Sequence, residues 1–260
     1  MTDISGKTVV VTGGGSGIGR AIALALSKRG ATVVLVGRTE SRLRAVADEA
    51  AELEGSAVVV PGDVSGIDEV DRIATEVRSK AGDPQILVNA AGVSGQFTTI
   101  RESDPERWIK ILQINTVGPY LTSRIFVGPM MESGWGRIIN VSSAASLGTG
   151  HVNSEYSLSK AALNHFTRQL ADEVAGSGVT ANAIHPGEVK TDMWRAIQDT
   201  ATSRGTEAQG GRNWAAMVEE TGGDPPRKAA DLVLEIIDGD VNGKFLWIKD
   251  GIKKPMPTWD

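Results

Sequence analysis

The feature that most constrains this chain is a run of glycines, Gly13-Gly14-Gly15-Ser16-Gly17-Ile18-Gly19, set between two segments of opposite periodicity. Before it lies the β-branched run Thr8–Thr12 (TVVVT). After it, Ile18, Ile22, Ala25 and Leu26 fall on one face of a helix that ends near Gly30. Strand, glycine turn and helix in that order form a natural anion site. Glycine permits the tight turn and close backbone approach, and the helix N-terminus offers free N–H groups and the positive end of its dipole. Gly13, Ser16, Gly17, Ile18 and Gly19 are therefore candidate ligands of a pyrophosphate. The spacing is not G-x-G-x-x-G, which would need glycine where Arg20 stands, nor a Walker loop, which would continue Lys-Ser/Thr where the chain has Arg20-Ala21.

The rest of the chain repeats the alternation. Thr32–Val36, Ala57–Val60, Ile86–Asn89, Arg137–Val141, Thr180–His185 and Lys244–Ile248 read as strands. Most are almost continuously apolar, the pattern of strands covered on both faces. Helical stretches lie between them at Ser41–Leu53, Ile67–Val77, Glu106–Ile114 onward, Tyr156–Val174 and Arg227–Ile237. The expectation is an α/β, Rossmann-like doubly wound parallel sheet of about seven strands with helices on both faces. No linker divides it, so residues 1–260 read as one domain. Residues 188–223 interrupt the alternation just after a strand end, where such sheets bind ligands. They are expected to cover the substrate as a lid, the Gly210-Gly211 and Gly222-Gly223 pairs suggesting mobility, while Met193, Trp194, Trp214 and Met217 either line an apolar pocket or pack on the body of the fold.

Composition narrows the function. The 260 residues carry 27 basic and 32 acidic side chains, a net −5, which disfavours nucleic-acid partners because phosphate contacts need clustered Lys and Arg. There is no cysteine, and the three histidines never form HxxxH, so no metal site is expected. No apolar run reaches transmembrane length, and Met1–Lys7 does not resemble a signal peptide, so a cytoplasmic protein without membrane contact is expected.

The strand ends suggest which nucleotide is held. The second strand runs into Gly37-Arg38-Thr39. A carboxylate there would receive the ribose hydroxyls of NAD and repel a 2′-phosphate, whereas Gly37 leaves room and Arg38 can fork onto that phosphate. NADP is the preferred cofactor and NAD a possible one. Asp63-Val64 and Asn89-Ala90-Ala91-Gly92 end the third and fourth strands in the same register, which makes Asp63, Val64, Asn89 and Gly92 further cofactor candidates.

Tyr156 and Lys160 lie four apart at the start of a helix, hence side by side on one face. A phenol titrates near ~10, and a neighbouring ammonium is expected to lower it towards usefulness at neutral pH. The strand before them ends in Ser142-Ser143, where a serine could hydrogen-bond a carbonyl oxygen while Tyr156 delivers a proton. Asn115 is an unusual residue inside an amphipathic helix. It reads either as a satisfied kink beside Gly118 or as the holder of a water that passes protons to Lys160. His151 lies between Ser143 and Tyr156, at the pocket edge or on the surface.

Taken together, TGGGSGIG from Thr12, NAAG from Asn89, Asn115, Ser143, YSLSK from Tyr156 and HPGEVKT from His185 resemble the short-chain dehydrogenase/reductase family over residues 5 to 250. The resemblance implies a catalytic tetrad Asn115, Ser143, Tyr156 and Lys160. It also implies that Tyr156 and Lys160 meet the cofactor, with further contacts from Pro186, Gly187, Val189 and Thr191, and that the chain is a homodimer or homotetramer. The implied activity is hydride transfer between NADP(H) and a small carbonyl or alcohol. An NAD-dependent alcohol dehydrogenase and a non-catalytic dinucleotide sensor on the same fold are the alternatives. Two departures stand out: Ala90 replaces the family's second asparagine, and the last strand carries Trp247 and lysines where acyl-carrier reductases have a glycine-rich ending.

Overall fold

The computed structural model describes residues 1–148, 152–204 and 208–248, so His151 and the C-terminal lysines at 249, 253 and 254 fall outside it. Strand β1 (Thr8–Thr12) leads through the glycine turn into α1 (Gly17–Ser27). β2 (Thr32–Gly37), α2 (Glu40–Ala50), β3 (Ser56–Pro61), α3 (Ile67–Ala81) and β4 (Ile86–Asn89) follow. Next come α4 (Pro105–Leu112), α5 (Gly118–Glu132), β5 (Gly136–Val141), α6 (Ser154–Glu173) and β6 (Val179–His185). The chain closes with α7 (Asp192–Ser203), α8 (Gln209–Thr221), α9 (Pro226–Asp238) and the short β7 (Phe245–Trp247).

The seven strands are all parallel, in the order β3-β2-β1-β4-β5-β6-β7. Side chains on successive strand residues point to opposite faces. Val9 and Val11 of β1 pack with Ile22 and Leu26 of α1 and Val233 and Ile236 of α9. Val10 packs on the other face with Ile73 and Val77 of α3 and Phe126 of α5. That double cover explains why the strands read as unbroken apolar runs. Each fully buried Val, Leu or Ile contributes about 1.5–3 kcal/mol, so the two layers hold the strand ends in fixed register. The order reverses between β1 and β4, which opens a crevice beyond their C-terminal ends.

The segment after β6 is packed more closely than its glycine pairs suggest. Its described part forms a helical hairpin, with the Trp194 indole N–H donating to the Ala215 carbonyl at 3.2 Å. Gly210 and Gly211 lie inside α8, and a side chain at 211 would collide with the Phe97 ring. This glycine is therefore a close-packing position rather than a flexible one. Met217 is 39% exposed and Trp194 is buried between the two helices. Met193 and Trp214 border an apolar cluster of Phe97, Ile197, Ala201 and Ala208.

Candidate active site

A cavity of about 180 Å³ lies over the crevice, lined by Gly13, Gly15, Ser16, Gly37, Arg38, Thr39, Arg42, Asp63, Val64, Gly92 and Val93, among others. A second, of about 430 Å³, adjoins it through Gly15, Ser16 and Arg42 and continues to Gly17, Lys190 and Thr191. The glycines are required by what surrounds them. At Gly13, with φ +68°, a Cβ would stand 2.8 Å from the Ala91 nitrogen, and at Gly19 it would lie 2.3 Å from the Gly13 carbonyl. The turn is thereby pressed onto the β4 end and α1 starts directly behind it. The Ser16 side chain makes no capping hydrogen bond, so it leaves the first-turn N–H groups to a ligand. An uncapped helix start, a side-chain-free cradle and nearby guanidinium groups fit a dinucleotide.

Not every expected contact faces the cavity. Ile18 packs on the sheet core and Gly19 is buried in the turn, so both shape the loop without lining it. Asn89 is buried, donating to the Asn140 side chain at 2.9 Å and accepting from the Thr122 hydroxyl at 2.8 Å. Its amide ties β4, β5 and α5 together, which corrects its reading as a cofactor contact. Asp63 does line the cavity. Burial alone would raise its carboxyl, but hydrogen bonds from Ser65 and the charges of Lys110 and Arg38 outweigh that and hold it below the usual range. Val189 and Pro186 are buried, Gly187 turns at φ +86° against Asp224, and Thr191 caps α7 by accepting from the Trp194 backbone N–H at 3.4 Å.

Asn115 sits in a π-turn, Gln113–Val117, between α4 and α5. Its Oδ1 accepts from Val93 N–H at 2.9 Å, and its Nδ2 donates to Val93 O and to the Ser159 hydroxyl, both at 3.0 Å. The amide is engaged by protein groups, so it clamps the 93 loop to α6 instead of holding a water with its side chain. Gly92 lies directly against this clamp. A Cβ there would stand 3.3 Å from Asn115 Oδ1 and 3.6 Å from Lys160 Nζ.

Lys160 is 5% exposed and donates to the Val141 carbonyl at 2.9 Å. Its ammonium is 5.8 Å from the centre of the Tyr156 ring. Burial lowers it from its ordinary 10.5 to about 8. Tyr156 behaves against expectation. Burial pushes its phenol above the usual 10, a hydrogen bond with Ser143 pulls the other way, and repulsion from the Glu188 carboxylate adds to the rise. Lys160, whose ammonium is directed to the Val141 carbonyl, is not among these influences. Ser143 also accepts from Ala145 N–H at 3.2 Å, while Ser142 is buried and points its hydroxyl to the Lys160 carbonyl. Ser143 is thus the serine facing the phenol, the one of the pair that the family resemblance implies.

Three participants escaped the sequence reading. Arg42 lines both cavities, and its position four after Arg38 was the available signal. Thr12 accepts from Ala91 N–H at 3.1 Å and so fixes the floor of the turn. His185 accepts from Ala144 N–H at 3.2 Å through Nδ1, with Nε2 3.8 Å from Glu188 Oε1, and its ring packs on Trp247. His185 and Glu188 lie three apart within HPGEVKT, but no motif spacing joins them to Ala144 and Trp247. Only the strand register brings His185 beside Trp247.

Comparison with known proteins decides the family. The family model described as short chain dehydrogenase matches residues 7–202. The chain belongs to the short-chain dehydrogenases. A D-β-hydroxybutyrate dehydrogenase of Rhizobium meliloti is 41% identical over 208 residues, 78% of this chain and 80% of that protein. A short chain dehydrogenase of Pseudocercospora fijiensis is 36% identical over 191 residues; the match spans 73% of this chain but only 62% of the relative's length. Among solved structures, an L-sorbose reductase of Gluconobacter frateurii, in complex with NADPH and L-sorbose, superposes with a TM-score of 0.82 at 28% identity. That alignment covers 98% of this chain and all of the other. This short-chain dehydrogenase is an NAD(P)-dependent oxidoreductase of CH–OH and C=O groups. Among the described residues, no helix is long and apolar enough to cross a membrane.

Proposed function

We propose that this short-chain dehydrogenase reduces a small neutral carbonyl compound with NADPH, with Tyr156 as the proton donor. The observation that carries the reading is Gly92, which lines the cavity and at which a Cβ would stand 3.3 Å from Asn115 Oδ1 and 3.6 Å from Lys160 Nζ. The cavity therefore ends at the proposed catalytic groups. Gly13, Gly15, Ser16 and Gly17 would cradle the pyrophosphate, Arg38, Thr39 and Arg42 the 2′-phosphate side, and Asp63 and Val64 the adenine. Thr191 borders the second cavity. β2 ends in Gly37 with Arg38 next, so no carboxylate repels a 2′-phosphate, and NADH would bind more weakly.

A nicotinamide held in the cavity would supply hydride for the carbonyl carbon. Tyr156 gives its proton to the carbonyl oxygen, and Ser143, already hydrogen-bonded to the phenol, stabilises the developing alkoxide. The phenol carries its proton at neutral pH, as a donor must, although burial and the Glu188 charge make it a weaker acid than a free phenol. Lys160 next to Gly92 keeps a positive charge at this end of the cavity, and Asn115 fixes the loop that carries Gly92.

The test is a panel of ketones, aldehydes, quinones and sugars with NADPH and NADH, followed by nicotinamide absorbance. At least one carbonyl class is reduced faster with NADPH. Tyr156→Phe keeps NADPH binding and loses turnover by several orders of magnitude. Undiminished turnover in that variant refutes the assignment. A homodimer or homotetramer accompanies this reading, supported by exposed Ile109, Tyr120 and Leu158 on α4, α5 and α6, large apolar side chains that a partner would cover.

A further inference from the structure

Glu188 follows the β6 end and is fixed at both main-chain groups. Its N–H donates to Asp224 Oδ2 at 3.0 Å and its carbonyl accepts from Asp224 N–H at 2.8 Å. One carboxylate oxygen accepts from the Trp214 indole N–H of α8, and the other lies 3.8 Å from His185 Nε2. His185 is in turn bonded to Ala144, the residue after Ser143. The carboxylate is therefore built into the same shell as Ser143 and Tyr156, and its charge is felt at the Tyr156 hydroxyl. The side chain remains 25% exposed, and a carboxylate can accept about four hydrogen bonds, so acceptor capacity is left over. Trp214 links Glu188 to an apolar wall of Phe97, Val152 and Met193. Lysines near this shell are directed elsewhere: Lys160 to Val141, Lys190 to Glu219 and Lys228 to Asp224.

We propose that Glu188 is a specificity-determining residue, receiving a substrate hydroxyl or ammonium a carbon or two from the reacting carbonyl and excluding substrates with a carboxylate there. The proposal rests on the reductase reading above and names its substrate class: short hydroxyketones or aminoketones whose apolar part lies against Trp214. Two like charges about 7 Å apart at an effective dielectric near 20 repel enough to cost roughly fifty-fold in affinity. A hydroxyl is not repelled, so it can close to hydrogen-bond distance and gain a charge-assisted bond.

The experiment compares NADPH-dependent reduction of 4-hydroxy-2-butanone and acetoacetate, which share a four-carbon skeleton and differ in hydroxyl against carboxylate. The native enzyme prefers the hydroxyketone by at least about fifty-fold in kcat/KM. Glu188→Gln keeps an acceptor for the Trp214 indole and narrows the preference below about fivefold, chiefly through a lower KM for acetoacetate. Glu188→Asp, which keeps the charge, retains it. An unchanged ratio in Glu188→Gln, or an equal loss on both substrates, overturns the proposal. If no carbonyl in the wider panel is reduced, the reductase reading fails instead, and a second readout still decides Glu188. The chain holds two tyrosines, so Tyr120→Phe leaves Tyr156 as the sole source of tyrosinate absorbance. In that background Glu188→Gln shifts the titration to lower pH, and an unmoved curve overturns the proposal.

Discussion

Lys160→Met gives a stability test of the site that needs no substrate. Burial lowers the Lys160 ammonium from 10.5 to about 8, and each pKa unit is about 1.4 kcal/mol, so carrying the charge at pH 7 costs the fold about 3 kcal/mol. Methionine is similar in length and has no charge to desolvate. It does leave the Val141 carbonyl without its 2.9 Å partner, a loss of about 1 kcal/mol. Without nucleotide, Lys160→Met is therefore more stable than the native chain at pH 7, by about 2 kcal/mol. The sign of the pH dependence follows from the depressed value. Between about pH 8 and 10.5 the unfolded chain keeps a proton that the folded chain has released, so raising the pH favours the native fold. By pH 9 the penalty falls to about 2 kcal/mol and the methionine advantage to about 1 kcal/mol. Urea denaturation of both proteins at pH 7 and pH 9 measures the two differences. A methionine variant less stable at pH 7, or an advantage identical at both pH values, would falsify the burial argument.

Two further predictions are equally direct. Arg38→Ala weakens NADPH binding about ten- to a hundredfold, the scale of a lost charge-assisted contact, and leaves NADH nearly unchanged by calorimetry. Equal losses on both nucleotides remove the case for phosphate recognition. Sedimentation finds a dimer or tetramer that Ile109→Glu with Tyr120→Glu dissociates, and a native monomer rejects the assembly.

The sheet was legible because strands covered on both faces have few polar positions to blur them: TVVVT, ILVN and RIINV were found within a residue of their ends. Ser143, Tyr156 and Lys160 were legible because a strand end and one helical turn fix their separation. Local pattern failed where tertiary packing decides. Gly210 and Gly211 look like a hinge but lie in α8, where the Phe97 ring leaves no room for a side chain at 211. Asn89 looks like a nucleotide ligand but is drawn inward by Asn140 and Thr122, partners 51 and 33 residues away. The phenol–ammonium pair was assigned the wrong balance because adjacency is visible in a sequence and burial is not.

The π-turn at Gln113–Val117 holds one residue more than a regular turn would need. Deleting any one of the five would give a smoother helix, yet it would rotate α4 by about 100° about the axis relative to α5. Asn115 could then no longer face the 93 loop from one side and Ser159 from the other. The irregularity is a phase setting: the helix gives up an ordinary hydrogen-bond ladder so that one amide can reach both segments.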